Sequence, residues 1–248
     1  MNNINNFNFQ KAYEKAKDSL RSKNTIGRLS EKILHATLKY YFEEYEESHE
    51  IKIGSFVADI VGENGIIEIQ TRDFYKLNKK LEAFLPAAKV TVVYPIPYSK
   101  WLFWINPFTG DVTKKRKSPK TGTPYEAFIE LYKIKKHLTH ENFNLCIMMI
   151  DIEEYRKLDG WSKDKKKGST RSERIPIDLH EEIYINNIQD YKKLIPENLP
   201  DKFTTKDYKK ATGLTLSASQ TALNVMYNIG AIERVDKRGN LQVYECRN

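Results

Sequence analysis

Cysteine is almost absent: the 248-residue chain carries two, Cys146 and Cys246. They lie far apart, form neither a disulfide framework nor a zinc-ligand spacing, and point to a reducing cytoplasm as the expected compartment. Long hydrophobic runs are missing as well. No stretch approaches the roughly 18–20 apolar residues that span a bilayer. The polar start Met1-Asn2-Asn3-Ile4-Asn5-Asn6 has no apolar run of the kind a signal peptide needs. A soluble chain without a membrane partner is expected. There is no Gly-x-x-x-x-Gly-Lys-Ser/Thr loop and no Gly-x-Ser-x-Gly elbow, which leaves nucleotide-loop and serine-hydrolase chemistry without a carrier. His137 and His140 stand three apart but lack the Glu-containing zinc pattern; the end of a helix is their expected place.

What is present is positive charge. Lysine and arginine number 41 against 33 aspartate and glutamate, a formal +8 with a pI near 9.2. Such an excess favours polyanions, because each phosphate contact releases condensed counterions. Two basic stretches concentrate it, residues 114–120 and 163–174, both expected as polar loops suited to phosphate contacts.

Periodicity predicts helices over residues 9–21 and 26–47, the second with Ile33, Leu34, Thr37, Leu38, Tyr41, Phe42 and Tyr45 on one face. A strand over 51–61, the turn Gly62-Glu63-Asn64-Gly65 and a strand over 66–71 follow. Next come a helix over 75–85, a strand at 90–94 ended by Pro95 and Pro97, and a strand pair within 101–112. Trp101 and Trp104 read as core aromatics of that pair rather than base stackers. A helix over 124–138 and a strand at 145–150 complete an α/β domain, a mixed central sheet flanked by helices, over residues 1–185. The pattern resets near residue 186, and 186–248 reads as a separate small domain.

The chemistry concentrates in Val57-Ala58-Asp59-Ile60-Val61-Gly62-Glu63-Asn64-Gly65-Ile66-Ile67-Glu68-Ile69-Gln70. Two registers are open. Four turn residues set Asp59 opposite Glu68; a tight Asn64-Gly65 turn sets Asp59 opposite Gln70. In both, alternation puts Asp59, Glu68 and Gln70 on one face, with Ala58, Ile60, Ile67 and Ile69 on the other. Carboxylates facing one another repel unless a proton or a cation sits between them. Hard oxygen ligands with open positions suit Mg²⁺, or Mn²⁺ in its place. Glu31 extends the inward stripe of the second helix, near His35, and is a third acid of the set.

At these residues the sequence resembles the PD-(D/E)XK, or restriction-endonuclease-like, nuclease superfamily, over roughly residues 25–95. Asp59 matches the strand-end Asp, Glu68 the acidic member of the next strand and Glu31 the helix acid. Gln70 stands where the family has Lys. The resemblance implies a restriction-endonuclease-like sheet, Asp59 and Glu68 as metal ligands, Glu31 as an assisting acid, and Gln70 orienting the attacking water. Gln supplies no positive charge, and Lys76, Lys79 or Lys80 on the following helix is the alternative source.

Residues 203–213 read as a capped helix ended by Gly213, residues 217–229 as a second helix, and 231–235 with 241–244 as a hairpin. This order resembles the winged helix-turn-helix family. The resemblance implies DNA contacts from Ser217, Ser219, Gln220, Thr221 and Asn224 in the major groove, and from Lys237 and Arg238 at the wing tip. The expectation is a metal-dependent DNA endonuclease placed on duplex DNA by its C-terminal domain. The alternative is a DNA-binding regulator whose nuclease-like domain serves dimerisation or sensing, and a homodimer suits either.

Overall fold

The computed structural model describes residues 2–22, 29–160 and 168–247, with side chains throughout except at residues 2–4 and 29–32. Its elements in order are α1 (Asn2–Ser22), α2 (Leu29–Phe42), β1 (His49–Ile53), β2 (Phe56–Gly62), β3 (Gly65–Ile69), α3 (Asn78–Phe84), β4 (Val90–Ile105), β5 (Arg116–Lys117) and α4 (Ala127–Leu131). Then follow β6 (Phe143–Lys157), β7 (Thr170–Ile185), β8 (Lys202–Thr204), α5 (Thr205–Thr212), α6 (Leu216–Asn228), β9 (Ile232–Arg238) and β10 (Leu241–Cys246). The architecture is mixed α/β. A seven-stranded sheet runs β1-β2-β3-β4-β6-β7 with β5 paired to β4, and a separate three-stranded sheet runs β8-β10-β9. The larger sheet is mixed in direction, since β2 and β3 are antiparallel whereas β3 and β4 are parallel. Among the described residues, no helix is long and apolar enough to cross a membrane.

The chain clusters into two compact units that interleave in sequence. One comprises Met1–His49, Pro97–Gly122 and Met149–Glu181; the other comprises Glu50–Ile96, Thr123–Met148 and Glu182–Asn248. In the first, α1 and α2 pack together around Ala12, Ala16, Ile33 and Tyr40. Small alanines let the helices approach, and Phe9 closes one end edge-on against Tyr41 at 5.7 Å between ring centres. In the second, Leu77, Leu81, Phe84 and Leu85 bury the inner side of α3 and its flanks, and Val90, Val92 and Val93 form the core of β4. Their spacings are those of a helix and of a strand buried on both faces.

Several expected boundaries move. The strand expected over 51–61 is two strands, because Gly54 at φ +59° turns the chain between β1 and β2. β4 is not ended by Pro95 and Pro97 but continues to Ile105. Val93 is the last residue paired with β3, so neither proline removes a hydrogen bond from that ladder. The helix expected over 124–138 shrinks to α4 between two 3-10 segments, with Ile134 off the helical region at φ −120° and ψ 18°. Residues 170–174, expected as loop, open the 16-residue strand β7; residues 163–167 of that basic stretch lie outside the described residues.

The C-terminal elements are locally specified. Thr204 caps α5 in a reciprocal box, accepting from the Asp207 amide while Asp207 accepts from the Thr204 amide at 2.8 Å. Gly213, left-handed at φ +70°, ends that helix, and Thr215 caps α6. Ala222, Leu223, Val225 and Met226 bury one side of α6, joined by Ile229 at its end. The hairpin extends further than expected: Arg238 pairs with Leu241, so the turn is Gly239-Asn240 alone.

Candidate active site

The β2–β3 hairpin decides the site. Val61 pairs with Ile66 and Gly62 with Gly65, leaving Glu63-Asn64 at the turn. This is the register that directs Asp59 toward Glu68; the one built on an Asn64-Gly65 turn is overturned. Gly65 is required twice over. It adopts φ +107°, and a Cβ there would lie 2.4 Å from the Lys89 carbonyl oxygen. That carbonyl accepts the Ile66 amide at 2.8 Å, which starts the parallel pairing of β3 with β4. Past the Ile60–Ile67 pair, Asp59 Oδ2 accepts the Ile69 amide at 2.8 Å. The Asp59 carboxylate is thereby fastened to the backbone one residue beyond Glu68.

Glu68 has 2 % of its side chain exposed, and its Oε2 accepts from Lys80 Nζ at 2.7 Å. Its Oε1 is buried with no hydrogen-bond partner among the described residues. Burial, and then the negative charge of Asp59, push the Glu68 carboxyl up to about 7, while Lys80 pulls the other way. A buried acid facing another acid, half neutralised by one ammonium, is under-compensated. Its ionised form is therefore costly, and added positive charge beside it would favour that form.

Of the three lysines considered as charge sources, Lys80 reaches Glu68, whereas Lys76 pairs with Asp73 at 3.4 Å. Gln70 sits just past β3 and turns its amide nitrogen toward the carbonyls of Arg72 and Asp73. It thus braces the bend at Asp73, a non-glycine residue held at φ 58°. The Phe74 amide after that bend donates to Glu130 Oε2 at 2.8 Å. Glu31 belongs to α2, but its side chain lies outside the described residues.

Among the C-terminal elements Ser217 and Gln220 are exposed and Thr221 and Asn224 half-buried, at spacings that share one face of α6. Ser219 does not belong with them. It is fully buried and donates to the Thr215 carbonyl at 2.9 Å, because position 219 falls on the packed side of the helix. Lys237 and Arg238 are exposed beside the hairpin turn.

Among the described residues no group of three or more acidic, histidine or cysteine side chains is placed to hold a metal. Mg²⁺ does not require three, since it is often bound through one or two carboxylates with waters completing the shell. Glu68, with an unpartnered Oε1 and a carboxyl that feels the negative charge of Asp59, fits such a hard cation.

Residues 32–186 match the family model for a domain of unknown function, DUF8091, and the chain belongs to that family. An uncharacterised protein of Treponema pallidum (strain Nichols) is 27 % identical over 221 residues, spanning 89 % of this chain and 87 % of its own length. No solved structure matches the chain.

Proposed function

We propose that this protein is a metal-dependent DNA endonuclease with a PD-(D/E)XK-like site and a C-terminal winged helix-turn-helix domain. The observation that carries the reading is the Glu68 carboxyl: buried, raised to about 7, with one oxygen on Lys80 and the other unpartnered beside Asp59. A core position tolerates this poorly on stability grounds alone. Asp59 and Glu68 would hold Mg²⁺ or Mn²⁺, which when bound supplies Lewis acidity at a phosphodiester and an activated water. Lys80 holds Glu68 in place and brings the positive charge that Gln70 lacks. Gln70 orders the bend at the end of β3. The order of α2, a β2–β3 hairpin, α3 and a parallel β4 accords with the resemblance.

The winged-helix reading rests on α5, α6 and the β9–β10 hairpin, with the polar face of α6 and the basic hairpin tip available to duplex DNA. One observation favours a second reading. The Lys80–Glu68 pair and the Asp59–Ile69 bond give both carboxylates protein partners, as a DNA-binding regulator with a silent nuclease-like domain requires. Cleavage of supercoiled plasmid with Mg²⁺ or Mn²⁺ separates the two. Nicking that is lost in Asp59→Ala and Glu68→Ala establishes the nuclease. Duplex binding without nicking in any metal establishes the regulator.

A further inference from the structure

A second buried carboxylate lies in the other unit, and its surroundings are reversed in sign. Glu154 on β6 has no exposed side-chain surface and forms ion pairs with three guanidiniums. Arg156 Nε lies 2.8 Å from Oε1; Arg171 Nε and Arg174 Nε lie 3.2 and 3.3 Å from Oε2. Burial alone would raise Glu154, yet Arg171, Arg174 and Arg156 together hold it below the usual carboxylate range. Lys100 on β4 joins them: burial lowers its ammonium, Glu154 opposes this, and Arg174, Lys120 and Arg156 add to the lowering.

One carboxylate needs one guanidinium, and a bidentate pair satisfies it fully. Even with Arg171 set aside, Arg156, Arg174 and Lys100 share the single negative charge of Glu154 among the described residues, leaving two positive charges in excess. Arg156 and Arg174 keep only 24 % and 18 % of their side chains exposed, so water screens that excess incompletely. The bonds to Glu154 use two N–H groups of Arg156 and one of Arg174, out of five per guanidinium. Glu154 therefore acts as a template that fixes Arg156 and Arg174 while engaging only part of the hydrogen-bonding capacity of each. The group that completes such an array is a tetrahedral oxyanion bearing several acceptor oxygens.

We propose that the Glu154-centred cluster of Arg156, Arg171, Arg174 and Lys100 is a phosphate-binding site that grips the backbone of double-stranded DNA. The assignment rests on the reading of the partner as DNA, and not on cleavage. The chain's overall +8 charge is complementary to that partner. Arg171, at 43 % side-chain exposure, is the member reached most readily from solvent.

The test is fluorescence anisotropy of the full chain with a short DNA duplex, in chelator and across a salt series. Arg171→Gln leaves Glu154 two guanidiniums, and Lys100→Gln touches none of the three Glu154 contacts. Each is expected to weaken binding about 5–10-fold near 0.15 M salt and to lower the salt slope by about one. Unchanged affinity and slope in variants that melt like the parent overturn the proposal. Binding of inorganic pyrophosphate without the duplex overturns it too. No metal or cleavage enters the measurement, so its failure leaves the Asp59–Glu68 reading standing. A chain that binds through Arg171 but never cuts would remove that reading and keep this one.

Discussion

Lys80 Nζ lies 2.7 Å from Glu68 Oε2, joining α3 to β3 by an ion pair whose acid is buried and whose base is about one quarter exposed. The ammonium does two things at once. It lowers the cost of keeping Glu68 ionised, and it adds positive charge to the proposed cleavage site. Lys80→Met removes both. Glu68 then escapes the lost attraction by holding its proton, so the stability cost is expected to stay near 1–3 kcal/mol rather than the 3–5 of a stranded charge. Plasmid nicking is expected to fall at least 100-fold, with duplex affinity changed less than twofold. Nicking at the parental rate would remove Lys80 from the site.

Glu68 also sets a pH dependence. Its carboxyl is raised from 4.5 to about 7 in the fold. Between those values the folded chain keeps a proton that the unfolded chain has released, so stability from this group is full below about pH 4.5 and is lost as pH rises through 7. The loss amounts to about 3 kcal/mol at 1.4 kcal/mol per unit. Urea denaturation of wild type and Glu68→Gln at pH 5 and pH 7.5 reads it directly. The variant is expected to gain on wild type by about 2 kcal/mol between the two pH values, part of the loss being present already at pH 5. A difference independent of pH would mean that Glu68 is not raised.

Gly65 offers a backbone test. At φ +107°, with the Lys89 carbonyl 2.4 Å from any added Cβ, alanine must push β3 away from β4. Gly65→Ala is expected to cost about 2–3 kcal/mol. It is also expected to reduce nicking beyond the loss of folded protein, because the same hairpin fixes Asp59 against Glu68. Gly54, at φ +59° but with open space around its Cβ position, is the control. Gly54→Ala pays only the left-handed backbone strain and is expected to nick normally once corrected for folded fraction.

The residues explain which of these features are legible in sequence. The hairpin of Asp59 and Glu68 is, because a strict period of two surrounds a turn. The C-terminal helices are as well, since Thr204, Asp207, Gly213 and Thr215 specify their ends within a few residues. Choosing between the two hairpin registers was beyond sequence, because the deciding contact is the distant Lys89 carbonyl. β7 escaped because its opening, Thr170-Arg171-Ser172-Glu173-Arg174, is polar throughout and becomes a strand only by pairing beside β6. The Glu154 cluster escaped for the same reason. Its members come from β4, β6 and β7, and only the alternating Glu154 and Arg156 hint at it locally. Ser219 shows the converse limit. Its helix was legible but its facing was not, as a small polar residue on the packed side satisfies itself on the Thr215 carbonyl.

That distinction supplies the last prediction. If α6 lies in a major groove, its contribution comes from Ser217, Gln220, Thr221 and Asn224, and not from Ser219. Gln220→Ala and Asn224→Ala are expected to cost about 1–2 kcal/mol each in binding a preferred duplex and to leave non-specific binding unchanged, since base-edge contacts carry sequence discrimination. Neither should change the melting temperature appreciably, given that Gln220 is exposed and Asn224 only half-buried. Ser219→Val should behave in the opposite way: it removes the bond to Thr215 inside a packed interface, lowers stability and leaves the affinity of the folded fraction alone. Lys237→Gln and Arg238→Gln at the hairpin tip are expected to weaken all duplexes alike and to lower the salt slope by about one each. Equal losses on every sequence from Gln220→Ala and Asn224→Ala would place α6 on the phosphate backbone instead of in the groove. No loss from any of the four would take the C-terminal elements off DNA altogether and leave them as a surface for another protein.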